Sequence, residues 1–128
     1  MKALLDTHTL LWWLDGDPRV SAVARDWIAD ADHVILVSAA SAWEIATKVR
    51  IGKLPGAEAV VDRYQQCLKE QGFTPLAIST DHALRAGSLP GPHRDPFDRM
   101  LIAQAQAENV ALISNELLFD SYGVRRIW

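Results

Sequence analysis

The sequence predicts an α/β fold, a mostly parallel central sheet of four to five strands flanked by helices on both faces. Three observations carry that expectation. Short apolar runs alternate with amphipathic stretches from one end of the chain to the other, the pattern of strand–helix–strand units. Val34-Ile-Leu-Val37 is apolar without a break, as suits a strand covered on both faces. Helix starts and stops punctuate the chain at the right places, with Asp95-Pro96 opening one helix and Asp15-Gly16-Asp17-Pro18 closing another.

Taken in order, Lys2 to Leu5 is a short strand that stops at Asp6, and Thr9 to Leu14 is a helix ended by the Asp15–Pro18 signal. Ser21 caps a helix through about Ala29, with Ala24, Trp27 and Ile28 on one face. The strand Val34–Val37 leads to a helix opened by Ser41-Ala-Trp-Glu44, which continues to Arg50 and breaks at Gly52. Glu58 to Gln71 reads as one long amphipathic helix whose inner stripe is Val61, Tyr64 and Leu68. Thr74 to Ile78 is a strand with Pro75 at its beginning, Ser79 caps a helix to Ala86, and Leu89-Pro-Gly-Pro92 is a loop. A helix from Pro96 to Glu108 ends near Asn109, followed by a strand Ala111–Ile113, a helical turn Glu116–Ser121 and an edge strand Val124–Trp128. Without a linker, repeat or low-complexity stretch, residues 1–128 read as a single domain.

Composition narrows the class. With 49% hydrophobic and 23% charged residues the chain is globular, and no apolar run approaches the roughly 20 residues of a membrane span. Met1 to Asp6 reads as a buried strand rather than a secretory signal. A single cysteine, Cys67, excludes an internal disulfide and points to a reducing cytoplasm. The net charge of −3 gives no general attraction for nucleic acid, so a polyanionic substrate requires a local basic patch or bound cations.

The chemistry-bearing residues are acids at element ends. His93-Arg-Asp-Pro-Phe-Asp-Arg99 puts Asp95 at an N-cap and Asp98 three residues on, both at the head of one helix. Asp6 ends the first strand, Glu44 lies in the helical turn after the second, and Glu116 follows the last buried strand by three residues. In open parallel sheets the crevice lies beyond the carboxyl ends of the strands, where these acids would meet. Each has a plainer reading. Ser41-x-x-Glu44 matches a capping box, Glu44 suits an i,i+4 pair with Lys48, and Glu116 suits a surface helix start. Together, gathered carboxylates repel one another unless a divalent cation joins them, and all-oxygen ligation suits Mg²⁺ or Mn²⁺. His8, His33, His82 and His93 have no zinc-like spacing.

These blocks resemble the signature of PIN-domain ribonucleases of the VapC toxin type. Leu4-Leu-Asp-Thr-His-Thr-Leu-Leu-Trp-Trp-Leu14 is similar to the family's first strand, acid and helix; the stretch from Ser38 to Leu54 to its second block; His93–Arg99 to its third; and Ile113-Ser-Asn-Glu116 to its fourth. The resemblance spans essentially the whole chain. It implies a single PIN domain and an endoribonuclease that hydrolyses RNA with a metal-activated water. Asp6, Glu44, Asp98 and Glu116 would be catalytic, holding Mg²⁺ or Mn²⁺ with help from Asp95. It also implies a homodimer, or a larger toxin–antitoxin assembly, silenced by a small antitoxin. Glu116 departs from the usual aspartate, which shifts its oxygens outward; Asp120 is a conceivable substitute. Thr7 and Ser114 are placed to orient the acids, and Lys48, Arg50, Lys53, Arg94 and Arg99 to meet RNA phosphates. The tryptophans offer base-stacking surfaces but more often serve as core or interface. Neither His8 nor His93 is assigned a catalytic role.

Two other readings remain open. One is a PIN fold that keeps the acids yet only binds a partner. The other is a phosphohydrolase of the haloacid dehalogenase type, whose Asp-x-Asp motif this chain lacks at Asp6-Thr-His-Thr9.

Overall fold

The computed structural model describes residues 1–91 and 93–128, so Pro92 of the expected Leu89–Pro92 loop lies outside the described residues. Strands β1 (Lys2–Leu5), β2 (Val34–Ser38), β3 (Thr74–Leu76), β4 (Ala111–Ile113) and β5 (Arg126–Ile127) form a sheet in the order β3-β2-β1-β4-β5. Every pairing is parallel, with Leu4 beside Leu36 on one side and Leu112 on the other. Side chains alternate across the pleat. Ala3, Leu5, Ile35, Val37 and Ile113 enter one core, and Leu4, Leu36 and Leu112 enter a second on the opposite face. This two-sided burial accounts for the unbroken apolar runs.

Helices α1 (Thr7–Leu14), α2 (Ala22–Ala29), α3 (Ala39–Arg50), α4 (Glu58–Asp62), α5 (Tyr64–Gln71), α6 (Thr80–Ser88) and α7 (Pro96–Glu108) flank the sheet, and a 3-10 helix spans Leu117–Tyr122. Leu10 of α1, Ile28 of α2, Ile45 of α3 and Leu68 of α5 fill the first core; Leu101 and Ile102 of α7 and Phe119 of the 3-10 helix fill the second. From central β1 the chain moves outward through β2 to β3, then returns to the other side for β4 and β5. The connections leaving β1 and β4 therefore diverge, the topology that sets functional residues at the carboxyl ends of these strands.

Several local expectations are corrected. The single helix over Glu58–Gln71 is two, with a break at Arg63 (φ −118°, ψ 24°). Val60 and Val61 are stiff β-branched helix residues, and on either side of the break Val61 and Tyr64 both pack against the first core. Hydrogen bonding hardly suffers, since Arg63 N donates to Ala59 O and Arg63 O accepts from Cys67 N. Helix α3 begins at Ala39 with Ser38 as its cap, so Ser41 and Glu44 are interior residues rather than a capping box. Helix α1 begins two residues before the expected Thr9, because Asp6 caps it. Pro75 falls in the middle of β3, tolerable because β3 is an edge strand whose outer side has no ladder to break.

Candidate active site

Asp6 stands where β1 ends and α1 begins, and its backbone is extended (φ −76°, ψ 165°). Its Oδ1 accepts the Thr9 N–H at 2.7 Å, and its Oδ2 accepts the hydroxyl of Ser114 from the end of β4. The Asp6 N–H donates to Ile113 O, so β1 and β4 hold one another at this point. Although it carries a carboxylate, Asp6 is buried. A buried acid needs donors or a cation, and the helix start supplies part of that need. Beside it, the buried hydroxyls of Thr7 and Ser41 bond at 2.9 Å, tying α1 to α3 one turn before Glu44.

Glu44 is 2% exposed. Its Oε2 accepts from Lys48, the i,i+4 partner foreseen in the sequence, whereas its Oε1 is buried with no partner. An unmatched carboxylate oxygen in the interior is costly and marks a place where a cation or a proton donor belongs. Asp98 heads α7. Burial above all pushes its carboxyl up to about 6; the charge of Asp95 adds to this, a hydrogen bond and charge from His93 oppose it, and Glu44 adds a smaller push. Glu44 and Asp98 thus stand on two helices, α3 and α7, that pack against each other. Asp95 caps α7, its Oδ1 accepting from Phe97 N at 2.9 Å and Asp98 N at 3.1 Å.

The fourth acid joins through Ser114. Besides donating to Asp6, the Ser114 oxygen accepts the Glu116 N–H at 2.9 Å. Glu116 then caps the 3-10 helix, its Oε1 accepting from Leu118 N. Asp120 is engaged by Arg126 at 2.9 Å, which leaves it as an ion-pair partner rather than a substitute for Glu116.

The structure thus links Asp6 to Ser114 and Glu116, and Asp98 to Asp95 and His93, while Glu44 lies on α3, which packs on α7 and is tied to α1 by the Thr7–Ser41 bond. Among the described residues, no three acids or imidazoles stand close enough to form one ready coordination sphere. The donor chemistry still fits a hard divalent ion: the set is all oxygen, Glu44 Oε1 lacks a partner, and the Asp98 carboxylate is destabilised by acid neighbours.

Sequence reasoning gave His93 no role at the site. His93 Nε2 lies 2.8 Å from Asp98 Oδ2, and the backbone N–H of His93 donates to the Tyr122 hydroxyl. The available signal was a histidine just upstream of the Asp95 cap. Arg99, expected among the RNA contacts, instead binds the carbonyls of Ala86, Leu89 and His93, strapping the end of α6 to the head of α7. Lys48 is held by Glu44, while Arg50, Lys53 and Arg94 are exposed.

The family model for the PIN domain matches residues 3–124. Ribonuclease VapC22 of Mycobacterium tuberculosis is 32% identical over 122 residues, covering 93% of this chain and 90% of that protein. Ribonuclease VapC16 of the same organism is 45% identical over 74 residues; that match covers 52% of this chain and spans about half of the relative, 48% of its length. A solved complex of VapBC2 from Rickettsia felis, bound to a DNA fragment from its promoter, superposes with a TM-score of 0.69. It covers 98% of this chain and 97% of that one at 16% identity, a likeness of fold.

Proposed function

The chain belongs to the PIN-domain family, among relatives of the VapC ribonucleases, and from that membership we propose that it is a metal-dependent endoribonuclease, the toxin of a toxin–antitoxin pair. The observation that carries this reading is the buried, unpartnered Oε1 of Glu44, on a helix that packs against the one headed by Asp98. Asp6, Glu44 and Asp98 would hold Mg²⁺ or Mn²⁺, with Asp95 and Glu116 at the margin. When bound, the ion supplies positive charge to the phosphoryl oxygens and makes water a stronger nucleophile at neutral pH.

The chain's own groups do the positioning. Ser114 fixes the Asp6 carboxylate in one orientation and orders the turn that carries Glu116. Lys48 offsets the charge of Glu44, and His93 shares a hydrogen bond with Asp98. Arg50, Lys53 and Arg94, exposed on the elements that carry Glu44 and Asp98 or just beside them, are the phosphate contacts we assign. Residues 1–128 would act as one PIN domain in a cytoplasmic homodimer, neutralised by a small antitoxin; the solved Rickettsia felis relative is itself a VapBC complex. No helix among the described residues is long and apolar enough to cross a membrane.

The test compares purified protein with its Asp6→Asn variant on structured and unstructured RNA, with Mn²⁺ and with chelator. Asparagine caps a helix as well as aspartate does, so the variant should fold while losing charge at the site. The reading requires Mn²⁺-dependent cleavage that falls at least about a hundred-fold in the variant, the scale on which one transition-state interaction acts. Equal cleavage by both forms would dismiss the assignment. A wild type that cuts no RNA would favour a binding module.

A further inference from the structure

Of the five tryptophans, Trp12, Trp13, Trp27 and Trp128 are half-buried and pack against the first core. Trp43 is different: 61% exposed, it belongs to neither core cluster among the described residues. It immediately precedes Glu44 in α3, and its ring meets that of Phe97 edge to face at 4.9 Å. Phe97 in turn immediately precedes Asp98 in α7. Successive helix residues are about 100° apart around the axis, so each acid turns inward while the aromatic beside it stands on the rim. The edge-to-face contact fixes the angle between the rings and leaves much of the indole uncovered. Exposed Arg94, just ahead of α7, and Arg50, at the far end of α3, add positive charge on the two elements that carry the pair.

We propose that Trp43, braced by Phe97, is the stacking platform for an unpaired base next to the scissile phosphate, and so a substrate-selecting residue. This rests on the ribonuclease reading above. A phosphate bound at a cation that Glu44 and Asp98 would hold brings its own bases within one sugar of that rim. An indole face accepts any base but demands that it be unstacked, so the platform selects single-stranded or looped RNA over continuous duplex. Sequence preference would then come from stacking strength, purines holding better than pyrimidines.

The experiment separates binding from cutting. Fluorescein-labelled single-stranded RNA is titrated with wild type, Trp43→Ala and Trp43→Phe in excess chelator, and cleavage by the same proteins is then followed with Mn²⁺. Circular dichroism verifies that each variant is folded. The expected result is a loss of affinity of about ten-fold for Trp43→Ala, the scale of one base–aromatic stack, with Trp43→Phe retaining most of it. In cleavage, KM should rise by a similar factor with kcat little changed. One abasic nucleotide next to the cut should weaken wild type yet leave Trp43→Ala unaffected. Unchanged RNA affinity and KM in Trp43→Ala, with wild type still cutting RNA, would overturn the platform and leave the nuclease reading intact. The same unchanged affinity with a shifted monomer–dimer balance would assign Trp43 to a contact between copies of the chain. Trp43-dependent binding by a wild type that cuts nothing would instead sink the nuclease reading alone.

Discussion

Asp98 shows how much of the site is decided by single side chains. Burial first, then Asp95, lifts its carboxyl from 3.8 to about 6, against the pull of His93. A raised carboxyl binds its proton more tightly in the folded chain than in the unfolded one. Its contribution to stability is therefore fullest below pH 3.8 and lost as pH rises through about 6, leaving a destabilising charge at neutral pH. In metal-free buffer Asp98→Asn should consequently stabilise the fold at pH 8 by about 1–3 kcal/mol, a gain that shrinks as pH falls toward 4. Urea denaturation at several pH values checks this, and a pH-independent effect would contradict it. Asp6 and the Asp95–Asp98 pair were legible in the sequence because strand ends and an Asp-Pro helix start announce themselves. The Thr7–Ser41 bond was not, since it depends on how α1 and α3 pack, whereas the His93–Asp98 bond is local and its signal was only a histidine five residues before the acid.

At the level of elements, acids open helices here. Asp6 caps α1, Asp95 caps α7 and Glu116 caps the 3-10 helix. Each places a carboxylate against unpaired N–H groups and the positive end of the backbone dipole. The head of α7 is further held by the Arg99 guanidinium on the carbonyls of Ala86, Leu89 and His93. Lysine keeps the charge but lacks the planar fork that serves separate acceptors. Arg99→Lys is expected to cost about 2 kcal/mol in urea denaturation, one to two charge-assisted hydrogen bonds. Cleavage should fall with it through misplacement of Asp98, which a retained rate would exclude. Element order was largely readable from capping and apolar runs. The break at Arg63 escaped because the apolar stripe runs straight through it in sequence, with no Gly or Pro to mark it.

Across the whole molecule, the parallel sheet follows from apolar runs too short and too unbroken to face water on either side. The strand order does not. That β4 returns to the far side of β1 is set by two cores filling together, and this return is what brings Ser114 to Asp6. Because three of the site acids already have helix-start donors, the fold does not depend on an ion to keep them together. In excess chelator the protein should retain its far-ultraviolet circular dichroism at 25 °C. Mn²⁺ should raise its melting temperature by mass action, in proportion to the logarithm of its concentration once saturating. Collapse on chelation would show that the capping donors are insufficient.

Pro75 has a consequence of a different kind. It interrupts the outward-facing row of amides on β3, at one open margin of the sheet. A foreign chain seeking to extend the sheet there finds a donor missing in the middle of a three-residue template. Fibrillar self-association through this margin is thereby discouraged, well away from the carboxyl ends of the central strands β1 and β4 where the acids stand.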